Sequence, residues 1–356
     1  MSNRAGAADA WDGERIVTRF DAEAETWMFV AIHSTRLGPA AGGTRLAQYP
    51  DRDAARRDVQ RLSAGMTDKW AVAGFPCGGG KAVLATPRDL RPPEREGLLR
   101  RYGALVAELA GAFTTGPDLG TSSADMDVVA ETGAPYVFGR SRERGGVGGS
   151  GGWTALGVFV SMEVVCRRLF GTPSLAGRSV LVQGVGGVGR PLLERLAAAG
   201  AQVRFSESDA ERARVIAEQT GVESVAPGAV LESACDVFVP CAFGGVLHEE
   251  SITRLRCRAV VGAANNQLAA AEDSIRLATR GILYAPDFVV NAGGAIAVAG
   301  MEAMGWTPDR AEREVRGIGA TLERVLALAD SAGIDPDSAA RRLARERLAA
   351  AEPRLA

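Results

Sequence analysis

The sequence predicts an α/β fold in two domains. The chain has 356 residues, and a domain of ordinary composition takes roughly 150. Short apolar segments alternate with longer amphipathic ones, which is typical of sheets joined by helical crossovers. The run Gly-Gly-Val-Gly-Gly-Ser-Gly-Gly at residues 145–152 predicts an interdomain hinge. We therefore expect one domain over residues 1–144 and a second over residues 153–331.

The first domain begins with a predicted β-hairpin, because residues 15–20 and 28–33 show strand-like alternation around an Asp-Ala-Glu-Ala segment. Residues 51–73 have helical periodicity, with acidic residues near the start and apolar residues along one face. The remaining expected elements are a strand at 81–86, a helix at 92–110 and a strand at 112–115 that leads into Gly116-Pro117-Asp118.

The second domain shows a regular alternation of predicted strands and helices. Helices are expected at 154–169, 188–199 and 210–220, and strands at 179–183, 202–207, 236–240, 259–262 and 282–284. After Thr307 the pattern is wholly helical. This order predicts right-handed parallel crossovers and a doubly wound sheet.

The composition favours a globular protein whose partners are small molecules. Apolar residues make up 46% of the chain and charged residues 24%, with a formal net charge of -2, which argues against disorder and general nucleic-acid binding. We find neither a signal-peptide core nor a spanning segment, and expect a cytoplasmic protein without membrane partners. The five cysteines form no CxxC pair, so we expect reduced thiols and no metal site.

A dinucleotide-binding loop follows the predicted strand Ser179-Val-Leu-Val-Gln183. The loop reads Gly184-Val-Gly-Gly-Val-Gly189 and opens a helix. In this motif Gly184 permits the tight turn, Gly186 lets the backbone approach a pyrophosphate, and Gly189 allows close helix packing. The positive end of the helix faces the phosphates. The strand–loop–helix context predicts a Rossmann domain.

The acidic residue that ends the next strand decides the expected cofactor. Glu207 lies about twenty residues after the glycines, where a carboxylate accepts the ribose hydroxyls and repels a 2'-phosphate. We therefore expect NAD rather than NADP. Arg212 is close enough in sequence to weaken this exclusion.

Lysine is rare in this chain. Lys69 and Lys81 are the two lysines among 41 basic residues. A buried lysine can lose its proton whereas arginine stays charged, so their retention suggests a need for an amine, with chance as the rival explanation. We expect Lys69, Lys81 and Asp118 to form a site in which one amine binds a carboxylate, the other activates water or a carbonyl, and Asp118 moves protons. The alternative is a structural Lys–Asp ion pair.

Glycine-rich segments accompany these residues at Gly38-Pro-Ala-Ala-Gly-Gly-Thr-Arg45 and Gly78-Gly-Gly-Lys81. Backbone without side chains permits close approach of a ligand, and an ordinary turn is the alternative for Gly78–Gly80. His33 and His248 are expected to be surface or packing residues, which argues against a histidine-based 2-hydroxy-acid dehydrogenase.

These motifs resemble the glutamate, leucine, valine and phenylalanine dehydrogenases along nearly the entire chain. Further matching segments are Met66-Thr-Asp-Lys69, Ala124-Asp-Met-Asp127, Gly262-Ala-Ala-Asn-Asn266 and Asn291-Ala-Gly-Gly294. The resemblance implies oxidative deamination of an L-amino acid to a 2-oxo acid and ammonium, with hydride passing to the nicotinamide in a cleft between the domains. It also implies that a C-terminal helix, at about 332–350, packs on the first domain. We expect a homo-oligomer.

The resemblance also implies residue roles. Lys69 would bind the substrate carboxylate, Lys81 would activate the hydrolytic water and Asp118 would be the acid/base. The substrate would further contact Ala41, Gly42, Gly43, Met66, Pro117, Asn265, Ala295 and Val298. The cofactor would contact Thr154, Gly184, Val185, Gly186, Gly187, Val188, Gly189, Glu207, Ser208, Arg212, Cys241, Ala242, Ala263, Asn265 and Asn291.

The expected substrate depends mainly on the residue at position 41, which is Ala41. Glutamate dehydrogenases resemble this motif but have a lysine there, so a glutamate side chain would be buried unpaired in this chain. Leucine dehydrogenases have a leucine, and Ala41 therefore suggests a roomier pocket. Gly116-Pro117, Tyr136-Val-Phe-Gly-Arg-Ser and Glu143-Arg-Gly-Gly146 most resemble the phenylalanine enzymes, although Phe75-Pro-Cys77 departs from the pattern. We expect L-phenylalanine, with leucine or valine as the alternative and a non-catalytic NAD-binding regulator as a distant one.

Overall fold

The computed structural model describes residues 11–351, which divide into two units. Unit 1 contains residues 11–148 and 345–351, and unit 2 contains residues 149–344. The fold is α/β, as predicted.

Unit 1 is built on a mixed five-stranded sheet. Its elements are β1 Arg15–Asp21, β2 Thr26–Ser34, β3 Ala40–Gln48, α1 Arg52–Ala73, β4 Gly78–Thr86, α2 Pro92–Glu108, β5 Phe113–Pro117 and α3 Ser123–Gly133. The strand order is β1-β2-β4-β3-β5, in which β3 runs parallel to both β4 and β5. Both neighbours of β3 therefore present their carboxyl ends at the same edge.

Helices pack on both faces of this sheet. On one face Ala55 and Val59 of α1 pack with Phe29 and Val83. On the other, α2 and α3 contribute to a larger core that includes the fully buried Tyr102. Helix α1 begins at Asp51, whose carboxylate accepts the backbone N–H of Ala54 at 2.7 Å. This cap and these packing contacts fix α1 over β2 and β4.

Unit 2 contains a parallel six-stranded sheet in the order β11-β10-β9-β6-β7-β8. Its strands are β6 Ser179–Gln183, β7 Gln202–Ser206, β8 Glu223–Ser224, β9 Val237–Pro240, β10 Ala259–Val260 and β11 Leu283–Tyr284. Its helices are α4 Gly151–Phe170, α5 Gly189–Ala198, α6 Ala210–Thr220, α7 Glu249–Arg254, α8 Glu272–Thr279, α9 Asp287–Val290, α10 Gly293–Met304, α11 Pro308–Arg316, α12 Ile318–Ala332 and, in its first part, α13 Pro336–Ala350. The sheet is doubly wound as the alternation predicted.

The structure corrects three local expectations. No strand is predicted over residues 38–48, but Ala40–Gln48 forms β3 because strands on both sides supply hydrogen-bond partners. The glycine stretch 145–152 is not a loop throughout, since Gly151 and Gly152 begin α4. The helix expected at about 332–350 starts later, at Pro336, because α12 extends to Ala332 and is ended by Gly333, whose φ of +64° is left-handed.

The end of α13 belongs to unit 1. Arg347 donates from Nη2 to the carbonyl oxygen of Gly74 at 2.7 Å, which fastens the last turns of α13 beside the end of α1. Among the helices of residues 11–351, we find none with the length and apolarity needed to cross a bilayer.

Candidate functional site

A lysine, an aspartate and an arginine meet beside the end of β5 in the unit 1 sheet. Lys81 Nζ on β4 lies 3.0 Å from Oδ2 of Asp118, the residue after β5. Arg45 Nε on β3 contacts the same oxygen at 3.2 Å. Strand β3 lies between β4 and β5, so the Lys81 side chain reaches Asp118 across it.

The glycine at position 43 accounts for this reach. In the register of the sheet, Gly43 pairs with Gly116, and a Cβ added to Gly43 would lie 2.8 Å from the Asp118 Cβ and 2.7 Å from the Pro117 carbonyl oxygen. A side chain at position 43 would therefore displace Asp118. Gly42 is equally constrained, because a Cβ there would lie 1.8 Å from the carbonyl oxygen of Gly80.

These glycines were expected to admit a ligand, and their packing gives a different reason for them. A Cβ on Gly79 would lie 2.0 Å from the Thr67 hydroxyl oxygen, and one on Gly80 would lie 2.7 Å from the Phe113 ring. Gly78–Gly80 form part of β4 rather than a turn. Close contact within the protein is what requires glycine along β3 and β4.

Two neighbouring cations keep Asp118 ionised despite its burial. The side chain of Asp118 is 15% exposed and that of Lys81 only 7%. Burial raises the pKa of the Asp118 carboxyl, but the positive charges of Lys81 and Arg45 outweigh it and lower the pKa to about 2. Lys81 and Asp118 thus form an ion pair within the predicted site.

The C-terminal half of α1 covers the same part of β3. Trp70 donates its indole N–H to the carbonyl oxygen of the buried Ala41 at 2.9 Å. Met66 lies one turn earlier, with Cγ 3.4 Å from the place of a Cβ on Gly42. Lys69 is half-buried in the last turns of α1, between these two residues in sequence. Ala41, Gly42, Met66 and Trp70 are thus brought together.

In unit 2 the glycines of the loop between β6 and α5 have the geometry of a phosphate-binding turn. Gly184 has φ of +89°, and a Cβ on Gly189 would lie 2.0 Å from the Gly184 carbonyl oxygen. Above Gly186 and Gly187, no heavy atom of the described chain lies within 4 Å of an added Cβ. The tight turn at Gly184, the close packing at Gly189 and the open approach at Gly186 fall at the positions that the motif predicts.

A cavity of about 450 Å³ opens beside this loop. It brings together many of the cofactor residues expected from the sequence, and its lining includes Gly184, Gly186, Glu207, Ser208, Arg212, Cys241 and Ala242. Val185 and Val188 belong to the loop, with Val185 donating its N–H to Glu207 Oε2 at 3.2 Å. A dinucleotide fits the open loop and the adjoining cavity.

Glu207 is held as an acceptor at the end of β7. Its Oε1 accepts the Ser208 hydroxyl at 3.1 Å and the Asp209 N–H at 3.2 Å. Burial raises the Glu207 pKa, but the backbone N–H groups of Asp209 and Val185 overcome this effect and lower it. Arg212 Nη1 lies 3.7 Å from Glu207 Oε2, so a cation stands beside the carboxylate.

A pair of asparagines forms a second polar cluster in unit 2. Asn291 Nδ2 donates to Asn265 Oδ1 at 2.8 Å and to the Ala263 carbonyl at 3.1 Å. The buried Asn291 Oδ1 has no hydrogen-bond partner among residues 11–351. An amide or ammonium donor from a ligand would satisfy it, as a nicotinamide carboxamide can.

Three further expected site residues lie on the helices nearby. Thr154 is near the start of α4, and its hydroxyl oxygen would lie 2.4 Å from a Cβ on Gly294. Ala295 and Val298 follow Gly294 on α10. The structure therefore groups Thr154 with the first turn of α10 within unit 2.

Sequence reasoning gave no role to Arg45, Asp58 or Tyr49. Arg45 Nη1 donates to Asp58 Oδ2 at 2.9 Å, and Tyr49 donates its hydroxyl to the same oxygen at 2.7 Å. The arginine of the Gly-Gly-Thr-Arg motif was the available signal. Its partners are 13 and 73 residues away in the chain, so spacing alone does not reveal them.

Known proteins match this chain over most of its length. It is 38% identical over 340 residues to a leucine dehydrogenase of Bacillus subtilis, covering 96% of this chain and 92% of that protein. It is 43% identical over 345 residues to a valine dehydrogenase of Streptomyces virginiae, covering 96% and 95%. Residues 22–134 match the Glu/Leu/Phe/Val dehydrogenase dimerisation domain, and residues 204–354 match the Glutamate/Leucine/Phenylalanine/Valine dehydrogenase model.

The chain belongs to the Glu/Leu/Phe/Val dehydrogenase family. Among solved structures, L-tryptophan dehydrogenase from Nostoc punctiforme has a TM-score of 0.80 at 35% identity, covering 95% of this chain and 96% of that one. A hetero-hexameric glutamate dehydrogenase from Thermus thermophilus has a TM-score of 0.81 at 27% identity, covering 96% and 89%. Membership confirms the resemblance drawn from the motifs.

This dehydrogenase is an NAD-dependent oxidoreductase that acts on the CH–NH2 group of amino acids. The alternatives of a 2-hydroxy-acid dehydrogenase and a non-catalytic regulator are therefore wrong. Neither histidine belongs to the Lys81–Asp118 cluster: His33 contacts Thr67 and Asp12, and His248 caps α7.

Proposed function

We propose that this dehydrogenase oxidises L-phenylalanine to its 2-oxo acid and ammonium, reversibly and with a preference for NAD over NADP. The Lys81–Asp118 pair at 3.0 Å is the observation that carries the chemistry. The small Ala41 on β3 supports the aromatic substrate, because its methyl group leaves space that leucine or lysine would fill.

Asp118 is the proton carrier in this proposal. An amino acid arrives as an ammonium ion, and its nitrogen must lose a proton before the α-hydrogen can leave as hydride. The ionised Asp118 accepts that proton while Lys69 holds the substrate carboxylate. NAD, when bound, accepts the hydride. The resulting iminium carbon then takes up water.

Lys81 serves the hydrolytic half of the reaction. Asp118 first releases the substrate proton to solvent. Water, oriented by Lys81, then adds to the iminium carbon, and the proton that it loses passes to Asp118, 3.0 Å from Lys81. Asp118 returns a proton to the nitrogen, and ammonia leaves as the carbonyl forms. Overall, amino acid, NAD and water give oxo acid, ammonium, NADH and a proton.

Cofactor residues are proposed from the cavity of unit 2. Gly186 and Gly187 leave the backbone open to a pyrophosphate, and Glu207 accepts the ribose hydroxyls. Asn291 and Asn265 would orient the nicotinamide amide through the buried Asn291 Oδ1.

Leucine or valine is the second candidate substrate, because the relatives with 38% and 43% identity are named leucine and valine dehydrogenases. We also propose a homo-oligomer in the cytoplasm. The description of the matching N-terminal model as a dimerisation domain supports assembly, and light scattering after gel filtration measures it.

A substrate panel tests the proposal. NADH formation is followed with L-phenylalanine, L-leucine, L-valine, L-glutamate and, as a stereochemical control, D-phenylalanine. We expect the highest kcat/KM with L-phenylalanine and the lowest L-amino-acid value with glutamate, because no lysine stands at Ala41 to pair its side chain. A higher value for leucine or valine would favour the second candidate. Efficient oxidation of glutamate would overturn the argument from Ala41.

A further inference from the structure

We propose that Arg45 is a positioning residue for proton transfer, held in place by Asp58, and that it fixes Asp118 Oδ2 so that Oδ1 exchanges the proton with substrate. This inference rests on the proposed role of Asp118 as the proton carrier.

The geometry of Asp118 is the first support. Lys81 Nζ and Arg45 Nε contact the same oxygen, Oδ2, at 3.0 and 3.2 Å. Two cations on one oxygen fix the carboxylate plane and direct Oδ1 away from both. A carboxylate held in one orientation transfers a proton without first having to rotate.

The second support is that Arg45 is itself fixed. Its guanidinium bridges two carboxylates, through Nε to Asp118 and through Nη1 to Asp58 at 2.9 Å. Tyr49 donates to the same Asp58 oxygen at 2.7 Å, and Arg61 donates to the other at 2.7 Å. The Arg45 and Asp58 side chains are only 16% and 17% exposed, so solvent screens this bridge weakly.

Asp58 also balances the charge of Arg45. Without a counter-ion, a buried guanidinium would act on Asp118 and Lys81 with its full field. Asp58 takes one edge of the guanidinium and partly neutralises it. Arg45 and Asp58 therefore influence the proton affinity of Asp118 in opposite directions.

Other charged and titratable groups lie on every element around this cluster. They are Arg45 on β3 and Tyr49 just after it, Asp58, Arg61, Asp68 and Lys69 on α1, His33 on β2, Lys81 on β4 and Asp118 after β5. Arg45 contacts Asp118 Oδ2 directly and is paired with Asp58, and neither Arg45 nor Asp58 has a proposed catalytic role. Removing the positive charge of Arg45 and removing the negative charge of Asp58 should therefore have opposite electrostatic effects on Asp118.

The direction in which each substitution shifts the pH profile follows from simple electrostatics. The Arg45 cation favours the ionised form of Asp118, so its removal raises the Asp118 pKa. The low-pH limb of the kcat/KM profile, along which activity rises as Asp118 loses its proton, then moves to higher pH. Removing the Asp58 anion lowers the Asp118 pKa and moves the limb to lower pH.

The experiment compares pH profiles of kcat/KM with one amino-acid substrate and saturating NAD. For Arg45→Gln we expect a shift of about one pH unit upward together with a reduced kcat. For Asp58→Asn we expect a smaller shift downward. Arg45→Lys keeps the charge but cannot bridge both carboxylates, so its limb should stay near that of the native enzyme while kcat falls.

Arg101→Gln is the matched control. Arg101 bridges Asp21 at 3.0 Å and Glu23 at 2.7 Å, at the β1–β2 hairpin of the same unit. Loss of this bridge should lower stability and leave the pH profile unmoved. If Arg45→Gln fails to fold, the other two variants still test the proposal. Asp58→Asn should shift the low-pH limb downward, and Arg45→Lys should lower kcat without moving that limb.

The outcomes separate this inference from the proposed function. If Asp118→Asn retains native turnover, the proton carrier is another group and the proposed function fails first. If Asp118→Asn is inactive and neither Arg45→Gln nor Asp58→Asn moves the limb, Arg45 has only a structural role and this inference alone is overturned. Shifts of both variants in the same direction would also overturn it.

Discussion

The carboxylate of Glu207 should determine the choice between NAD and NADP. Glu207 lines the cavity beside the phosphate loop, and its oxygens are fixed by the N–H groups of Val185 and Asp209. A 2'-phosphate bound there would meet a fixed negative charge. Replacing Glu207 with Gln keeps the acceptor oxygen and the shape while removing that charge.

The magnitude follows from Coulomb's law. Two unit charges about 4 Å apart repel by roughly 4 kcal/mol at an effective dielectric constant of about 20. Solvent and Arg212, at 3.7 Å from Glu207, offset part of this repulsion. A net effect of about 2 kcal/mol corresponds to roughly a 30-fold change in the NADP/NAD ratio of kcat/KM.

Steady-state rates with each cofactor measure the ratio. We expect Glu207→Gln to raise it by roughly 30-fold and a further Arg212→Gln change to lower it again, since Arg212 would then pair with the phosphate. Glu211→Gln is the control, because this exposed acid on α6 pairs with Arg214. A ratio that Glu207→Gln leaves unchanged would refute the reasoning.

Three other substitutions probe the substrate site proposed in unit 1 and the nucleotide loop of unit 2. Ala41→Leu adds three carbons beneath α1 and should lower kcat/KM for phenylalanine by about tenfold or more, with little loss for leucine, because overpacking costs about 1 to 3 kcal/mol; an unchanged phenylalanine/leucine ratio would place Ala41 outside the pocket. Gly186→Ala should weaken NAD binding by about tenfold or more with native stability, since its Cβ enters open space above the loop. Gly189→Ala should instead lower the unfolding temperature through its contact with Gly184. Titration calorimetry and thermal unfolding separate these cases, and native NAD affinity in Gly186→Ala would argue against a pyrophosphate at this loop.

The nucleotide loop was predictable because its requirements are local. The turn at Gly184, the opening at Gly186 and the packing at Gly189 each depend on neighbouring residues. Helix α1 was similarly readable, because Asp51 caps its start and Gly74, with φ of +77°, ends it.

Strand β3 was not predictable as a strand, because its glycines have low strand propensity. It forms since β4 and β5 supply hydrogen-bond partners on both sides. The role of Arg45 depends on Asp118, which is 73 residues away. Such long-range contacts leave no periodic pattern in the sequence. The motif therefore contains Arg45 but does not predict which residues Arg45 contacts.

The central claim is that the Asp118 carboxylate carries the proton in amino-acid oxidation, and single-turnover hydride transfer tests it most directly. The native enzyme and Asp118→Asn are mixed with excess NAD and L-phenylalanine, and the first-turnover rate of NADH formation is recorded beside the NAD dissociation constant. We expect the rate in Asp118→Asn to fall by about 100-fold or more, because the amide cannot accept the ammonium proton, while NAD affinity stays native. A first-turnover rate close to that of the native enzyme would contradict the account.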